Sequence, residues 1–323
     1  MKLRRVRKGA DLYLELCAPQ GWVAVAKCLT HLAHRAHDEA RIRAGDLVAL
    51  LAAPAEVRQK IAAAAKNIEP EATLDTEAMM PFEPRSFRDF MLYEAHAIAA
   101  ARGFVRAFMP GADRLVRTYE ALTGRTFPRL KPHALWYRRP IYYMGNHLTF
   151  VTDGDVAIPC YTRALDYELE LGFVLAHPLL DASPEAAEAA IGGFVALNDF
   201  SARDQQLEEM ASGFGPQKAK HFKSAISKVV ATADEILPRW RELKGRVRLN
   251  GKLVAEPSTA GARWSLGEML AHASRSEPLQ AGELFGSGTL PGGSGIETGH
   301  LLESGDLIEI GIEGIGTIAN RIV

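Results

Sequence analysis

The first 30 residues alternate polar and apolar side chains in short runs, Leu12-Tyr13-Leu14-Glu15-Leu16 and Trp22-Val23-Ala24-Val25-Ala26, around a Pro19-Gln20-Gly21 turn. A period of two broken by turn residues predicts a small β unit. Two helical stretches follow, near 45–53 and 55–66, the second with Pro54 at its entrance and an alanine run in its body. Acidic, proline-containing sequence over 69–84 predicts a linker. From Ser86 onward apolar strand patterns alternate with Gly/Pro turns, and helical patterns are confined to about 86–102, 113–123, 184–192 and 202–211. Residues 305–318 alternate on both sides of a glycine-containing turn, which predicts a closing hairpin. The expected class is α+β, mainly β, with a small N-terminal α/β domain at 1–80 and a larger domain at 81–323.

Composition narrows the function classes. The 323 residues carry 38 Lys and Arg against 39 Asp and Glu, so no overall field recruits nucleic acid or an anionic membrane, and any affinity for an anionic substrate must be local. Met1 to Lys8 is basic like the start of a secretory signal, but Gly9-Ala10-Asp11 stands where an apolar region would be needed. No uncharged apolar run reaches 18 residues, so no membrane helix is expected. Cys17, Cys28 and Cys160 form neither an even framework nor a close pair, which fits a reducing compartment and a cytoplasmic location.

Candidate chemistry lies in the second domain. Glu168 and Glu170, two apart in an otherwise apolar strand pattern, would place two carboxylates on one face, either exposed to water or holding a hard divalent cation. Asp199 ends the apolar run Phe194-Val195-Ala196-Leu197-Asn198, either capping the next helix or adding a third carboxylate. Arg203 and Gln206, three apart, share a helical face able to hold a carboxylate or carbonyl. Ser86 and Asp89 form a capping-box pattern, and Asp89 and His96, seven apart, would lie two turns apart on one face of that helix. The glycine-rich stretch 285–297 could turn backbone N–H groups and the Thr289 hydroxyl toward an anion, or merely join strands; Pro291 stands where a dinucleotide fingerprint needs its third glycine. His31, His34 and His37 do not make a zinc site, because steps of three drift around a helix and no fourth ligand of clear type is near. No Gly-x-Ser-x-Gly elbow is present.

Leu165-Asp166-Tyr167-Glu168-Leu169-Glu170 followed by Asn198-Asp199-Phe200-Ser201-Ala202-Arg203-Asp204 resembles the fumarylacetoacetate hydrolase family, over roughly residues 81–323. The resemblance implies a mixed β-roll behind a small N-terminal domain, a homodimer, and a divalent metal, Mg2+ first with Ca2+ or Mn2+ as alternatives. It assigns Asp89, Glu168, Glu170 and Asp199 as metal ligands, His96 as general base with Glu297 orienting it, Lys220 as an oxyanion donor, and Tyr143, Arg203, Gln206 and Thr289 as substrate contacts. Ala219 replaces a family glycine before Lys220, Met144 and Asn146 replace His and Arg around Gly145, and Met91 replaces Tyr, which leaves the substrate open. The implied reaction is metal-dependent hydrolysis of the C–C bond of a 1,3-diketo acid, fumarylacetoacetate-like or acylpyruvate-like, with water activated by the His–Glu pair and the enolate held on the metal. Alternatives on the same fold are decarboxylation, hydration or dehydration of a 2-keto acid, or non-catalytic binding of metal or acid.

Overall fold

The computed structural model describes residues 1–30, 38–70 and 76–323. His31, His34 and His37, and part of the 69–84 segment, lie outside the described residues.

Two strands form the spine of the molecule. Glu168–Leu175 and Ile191–Asn198 pair antiparallel and every residue in both is buried, which is why each reads as a nearly continuous apolar run rather than an alternation. They are central in a twelve-stranded sheet whose main path runs Gly21–Ala24, Asp11–Ala18, Lys2–Lys8, Val229–Thr232, Ile191–Asn198, Glu168–Leu175, Leu284–Ser294, Phe87–Phe90 and Tyr142–Gly145. On one face Leu169, Leu171, Phe173, Phe194 and Ala196 share a core with Ile308, Ile310, Ile312 and Ile318 of a five-stranded second sheet. On the other, Val174, Val195 and Leu197 share a core with Leu50, Leu51 and Ile61, from helices Leu47–Ala52 and Ala55–Ala65. Each such apolar side chain taken from water contributes about 1.5–3 kcal/mol. The sheet runs across the expected boundary at residue 80: Leu3 pairs with Val230, so the N-terminal strands extend the sheet that carries the second domain.

Most sequence-level elements form. Helices occupy Leu47–Ala52, Ala55–Ala65, Pro110–Thr123, Pro184–Ala189 and Arg203–Ser212, and the closing hairpin joins Leu307–Ile312 to Gly316–Ile322. Two readings are corrected. Phe87–Phe90 is a strand, parallel to Leu284–Ser294 on one side and antiparallel to Tyr142–Gly145 on the other, and the helix starts only at Glu94 and runs to Phe108. Pairing on both edges satisfies backbone groups that a helix would otherwise have had to satisfy, while the Ser86 hydroxyl donates to Glu283 at 2.7 Å instead of capping. Asp89 and His96 therefore never share a helical face. The glycine-rich stretch is likewise strand Leu284–Ser294 with register shifts, not a loop. Among the described residues no helix is long and apolar enough to cross a membrane.

Candidate metal centre and its histidine partner

The face of the sheet that is apolar at Val174 and Leu197 becomes acidic at its other end. Glu168 and Glu170 project from one strand, Asp199 follows the end of the next, and Asp89 comes from the strand beyond Leu284–Ser294. Asp89, Glu170 and Asp199 are buried and offer oxygens that all lie within 4.8 Å of one another. Asp199 does not cap the following helix, whose preceding residue is Ala202 with no side-chain cap.

Cations divide these carboxylates into two kinds. Glu168 accepts from Arg203 Nη2 at 2.7 Å through Oε1 and from Lys220 through Oε2. Burial alone would push its pKa up, but Arg203 and Lys220 together outweigh it and hold Glu168 below the usual carboxylate range. Asp199 accepts at Oδ2 from Lys220 Nζ at 2.6 Å and from the Tyr143 hydroxyl at 2.6 Å, and at Oδ1 from Ser224 at 3.1 Å. Its burial still wins over these donors and raises its pKa. Glu170 accepts from the Gly288 N–H at 3.2 Å and the Thr289 hydroxyl at 3.4 Å and lies against Asp89. Burial and the neighbouring Asp89 charge push it well above its ordinary value. Burial, with Asp199 beside it, pushes Asp89 up to about 8, and Asp89 Oδ1 has no hydrogen-bond partner.

This donor set fits a hard divalent cation. Three buried oxygen donors converge, one lacks any partner, and the backbone leaves room beside them: a Cβ on Gly286 would stand 2.4 Å from Asp89 Oδ1 and 2.6 Å from Glu170 Oε2. Glu168 is outside this group of three, and both its oxygens accept from cationic side chains.

Next to this cluster, His96 in the first turn of helix Glu94–Phe108 places Nδ1 3.0 Å from Glu297 Oε2, an ion-pair approach whose angle is not that of a hydrogen bond. Both side chains are under 10% exposed, and Glu297 is fixed by the Gly292 N–H at 3.0 Å and the Ser294 hydroxyl at 2.8 Å. Arg203 is 1% exposed and fully engaged, with Nε and Nη2 on Asp166, Nη2 on Glu168 and Nη1 on Gln206 Oε1. The structure thus gathers Asp89, Glu168, Glu170, Asp199, Tyr143, Arg203, Gln206, Lys220 and Thr289 into one connected network, with His96 and Glu297 as a second pair. Ser224, Gly286 and Asp166 were not among the candidate site residues, although Asp166 and Gly286 lay inside the stretches 165–170 and 285–297 already singled out.

The sequence profile described as fumarylacetoacetate (FAA) hydrolase C-terminal matches residues 120–323. A mitochondrial oxaloacetate tautomerase of Pongo abelii is 29% identical over 154 residues, 47% of this chain and 70% of that protein. Fumarylacetoacetate hydrolase from the psychrophile Exiguobacterium antarcticum superposes over 100% of this chain and 99% of its own, with TM-score 0.66 and 20% identity. Fumarylpyruvate hydrolase from Pseudomonas aeruginosa, solved in complex with Mn2+ and pyruvate, covers 76% of this chain and 91% of its own, with TM-score 0.56 and 21% identity. With the profile spanning residues 120–323, most of the chain, the chain belongs to the fumarylacetoacetate hydrolase family.

Proposed function

We propose that this protein is a divalent-metal-dependent hydrolase that cleaves the C–C bond of a 1,3-diketo acid of the acylpyruvate or fumarylacetoacetate type. The observation that carries the reading is the buried His96–Glu297 pair beside a cluster of carboxylates that two cations only partly neutralise. Asp89, Glu170 and Asp199, with Glu168 behind them, would hold the ion, Mg2+ or Mn2+, and the Mn2+ in the Pseudomonas fumarylpyruvate hydrolase supports that choice. Bound there, such an ion supplies Lewis acidity toward the keto and enolate oxygens of the substrate.

His96 faces Glu297 through Nδ1, so Nε2 is the nitrogen that takes a proton from water, and Glu297 stabilises the imidazolium formed. The hydroxide adds to the distal carbonyl. Lys220 has two acceptors in Glu168 and Asp199 and three N–H donors, so one remains for the developing oxyanion. Gln206 accepts from Arg203 through Oε1, which leaves its amide N–H groups for the substrate. Under this reading Arg203 positions its neighbours rather than gripping the substrate. When the C–C bond breaks, His96 returns its proton to the departing carbon, giving a carboxylic acid together with a 2-keto acid from an acylpyruvate or a 3-keto acid from a fumarylacetoacetate-type substrate.

A second reading, keto–enol interconversion of a 2-keto diacid by the same His–Glu pair, is favoured by the similarity to oxaloacetate tautomerases. One assay separates them. Purified protein with Mg2+ or Mn2+ should release pyruvate from acylpyruvates, EDTA should stop it, and His96→Ala should lower kcat by about 10²–10⁴-fold. No release, or an unchanged rate in His96→Ala, contradicts the proposal; enol–keto exchange of oxaloacetate without C–C cleavage selects the tautomerase.

A further inference from the structure

Asp166 lies outside the group of three carboxylates and outside the His–Glu pair, yet it touches the supports of both. It is fully buried. Oδ1 accepts from the Gly295 N–H at 2.7 Å and the Tyr167 N–H at 2.8 Å; Oδ2 accepts from the Ile296 N–H at 2.8 Å and Arg203 Nε at 2.7 Å. Four hydrogen bonds on one side chain, two of them to consecutive amides, fix the start of the short Gly295–Thr298 turn that carries Glu297. The fit is close, since a Cβ on Gly295 would stand 2.3 Å from Asp166 Oδ1. From its far side the same turn is gripped by the helix that bears His96. A Cβ on Gly103 would stand 2.1 Å from the Ile296 carbonyl oxygen, and Arg106 Nη2 donates to that oxygen at 3.1 Å. Arg203, held by Asp166 through Nε and Nη2, also reaches Glu168 with Nη2.

We infer that Asp166 is a positioning residue for the Glu297–His96 pair: it locks the Glu297 turn to Arg203 and so sets the distance between the base and the carboxylate cluster. The inference rests on the reading of His96 and Glu297 given above. A neutral polar residue of the same size could not replace it. Asn at 166 would keep one acceptor but turn an N–H2 group toward donors on Arg203 and Ile296, or on Gly295 and Tyr167.

The test compares Asp166→Asn, Glu297→Gln and the double variant, with the acylpyruvate turned over by the wild type. Asp166→Asn should lower kcat by about 10–100-fold, the scale of a small misplacement of a reacting group, and leave KM within about threefold. The double variant should be no slower than Glu297→Gln alone, because both changes act through one group. Additive effects, or an unchanged kcat in Asp166→Asn, overturn the inference, whereas an unchanged rate in Glu297→Gln overturns the His–Glu reading itself. A substrate-free measurement stands beside these. Hydrogen exchange at the amides of residues 295–297 should quicken in Asp166→Asn while the Glu168–Leu175 strand keeps its protection, and unchanged exchange at 295–297 also overturns the inference. If Asp166→Asn does not fold, Arg106→Gln loosens the same turn from its accessible side. Its loss of kcat should vanish in the Glu297→Gln background, and a loss that persists there counts against the coupling.

Discussion

Along the Ile191–Asn198 strand, Val195 and Leu197 share a core with Leu50 and Leu51, whereas Asp199, next in the same alternation, lies among carboxylates and cations. The Glu168–Leu175 strand makes the same change in reverse, from Glu168 and Glu170 to Val174. Gly172 lies at the seam, where a Cβ would stand 2.7 Å from Val195 Cγ2. One face of one sheet is thus built two ways on the same backbone. In the apolar half burial is itself the stabilising term. In the acidic half burial opposes folding, and only Glu168 and Asp199 have a cationic side chain in reach. Among the described residues Asp89 and Glu170 have no cationic side chain in ion-pair contact, Lys220 acting on Asp89 only through its field, and that deficit fits a cation at this end of the sheet.

The contrast can be broken from either side. Leu50→Ala should lower stability by about 2–5 kcal/mol, as for other fully buried leucines, and leave Mn2+ affinity unchanged; calorimetric unfolding and metal titration check both halves of the statement. Glu170→Gln should do the opposite. At neutral to alkaline pH the metal-free variant should be more stable than wild type, because it removes a carboxyl whose charged form burial disfavours, and it should no longer bind the ion.

The third expectation is a slope with pH. Asp89 titrates at about 8 in the folded protein against an ordinary value of 3.8, so between those limits the folded state holds more protons than the unfolded one. Stability of the metal-free protein should therefore fall as pH rises from about 4 to about 8, with Glu170 adding in the same direction. Glu168 acts with the opposite sign, but only below its ordinary range. Saturating Mn2+ should flatten the slope, and denaturant titrations at several pH values, with Mn2+ and with EDTA, would show it. A metal-free stability that rises over this window would contradict the account.

Much of this was legible in the chain, for reasons that differ by residue. Glu168, Glu170 and Asp199 stood out because charges in a buried apolar run violate the local pattern, and such violations are expected at functional sites. The stretch 86–96 misled because Ser86 and Asp89 also satisfy a helix-capping rule; the pairing that makes it a strand comes from residues 284–286 and 142–145, far away in sequence. The pairing of His96 with Glu297 could be given only by resemblance, since their meeting depends on helix Glu94–Phe108 docking at Gly103 on the 295–298 turn. Asp166 was visible but mute, because nothing local shows that its partners are the amides of Gly295 and Ile296.

The central claim is that the acidic half of the sheet face is completed by a divalent ion. Titration of Mn2+ into EDTA-stripped protein, by calorimetry in two buffers of different ionisation enthalpy at pH 7, tests it most directly. The account predicts one saturable ion per chain with release of protons, because burial pushes the Asp89 and Glu170 carboxyls up in the absence of metal, and loss of that binding in Glu170→Gln. No saturable binding, or binding that persists in Glu170→Gln without proton release, would contradict it.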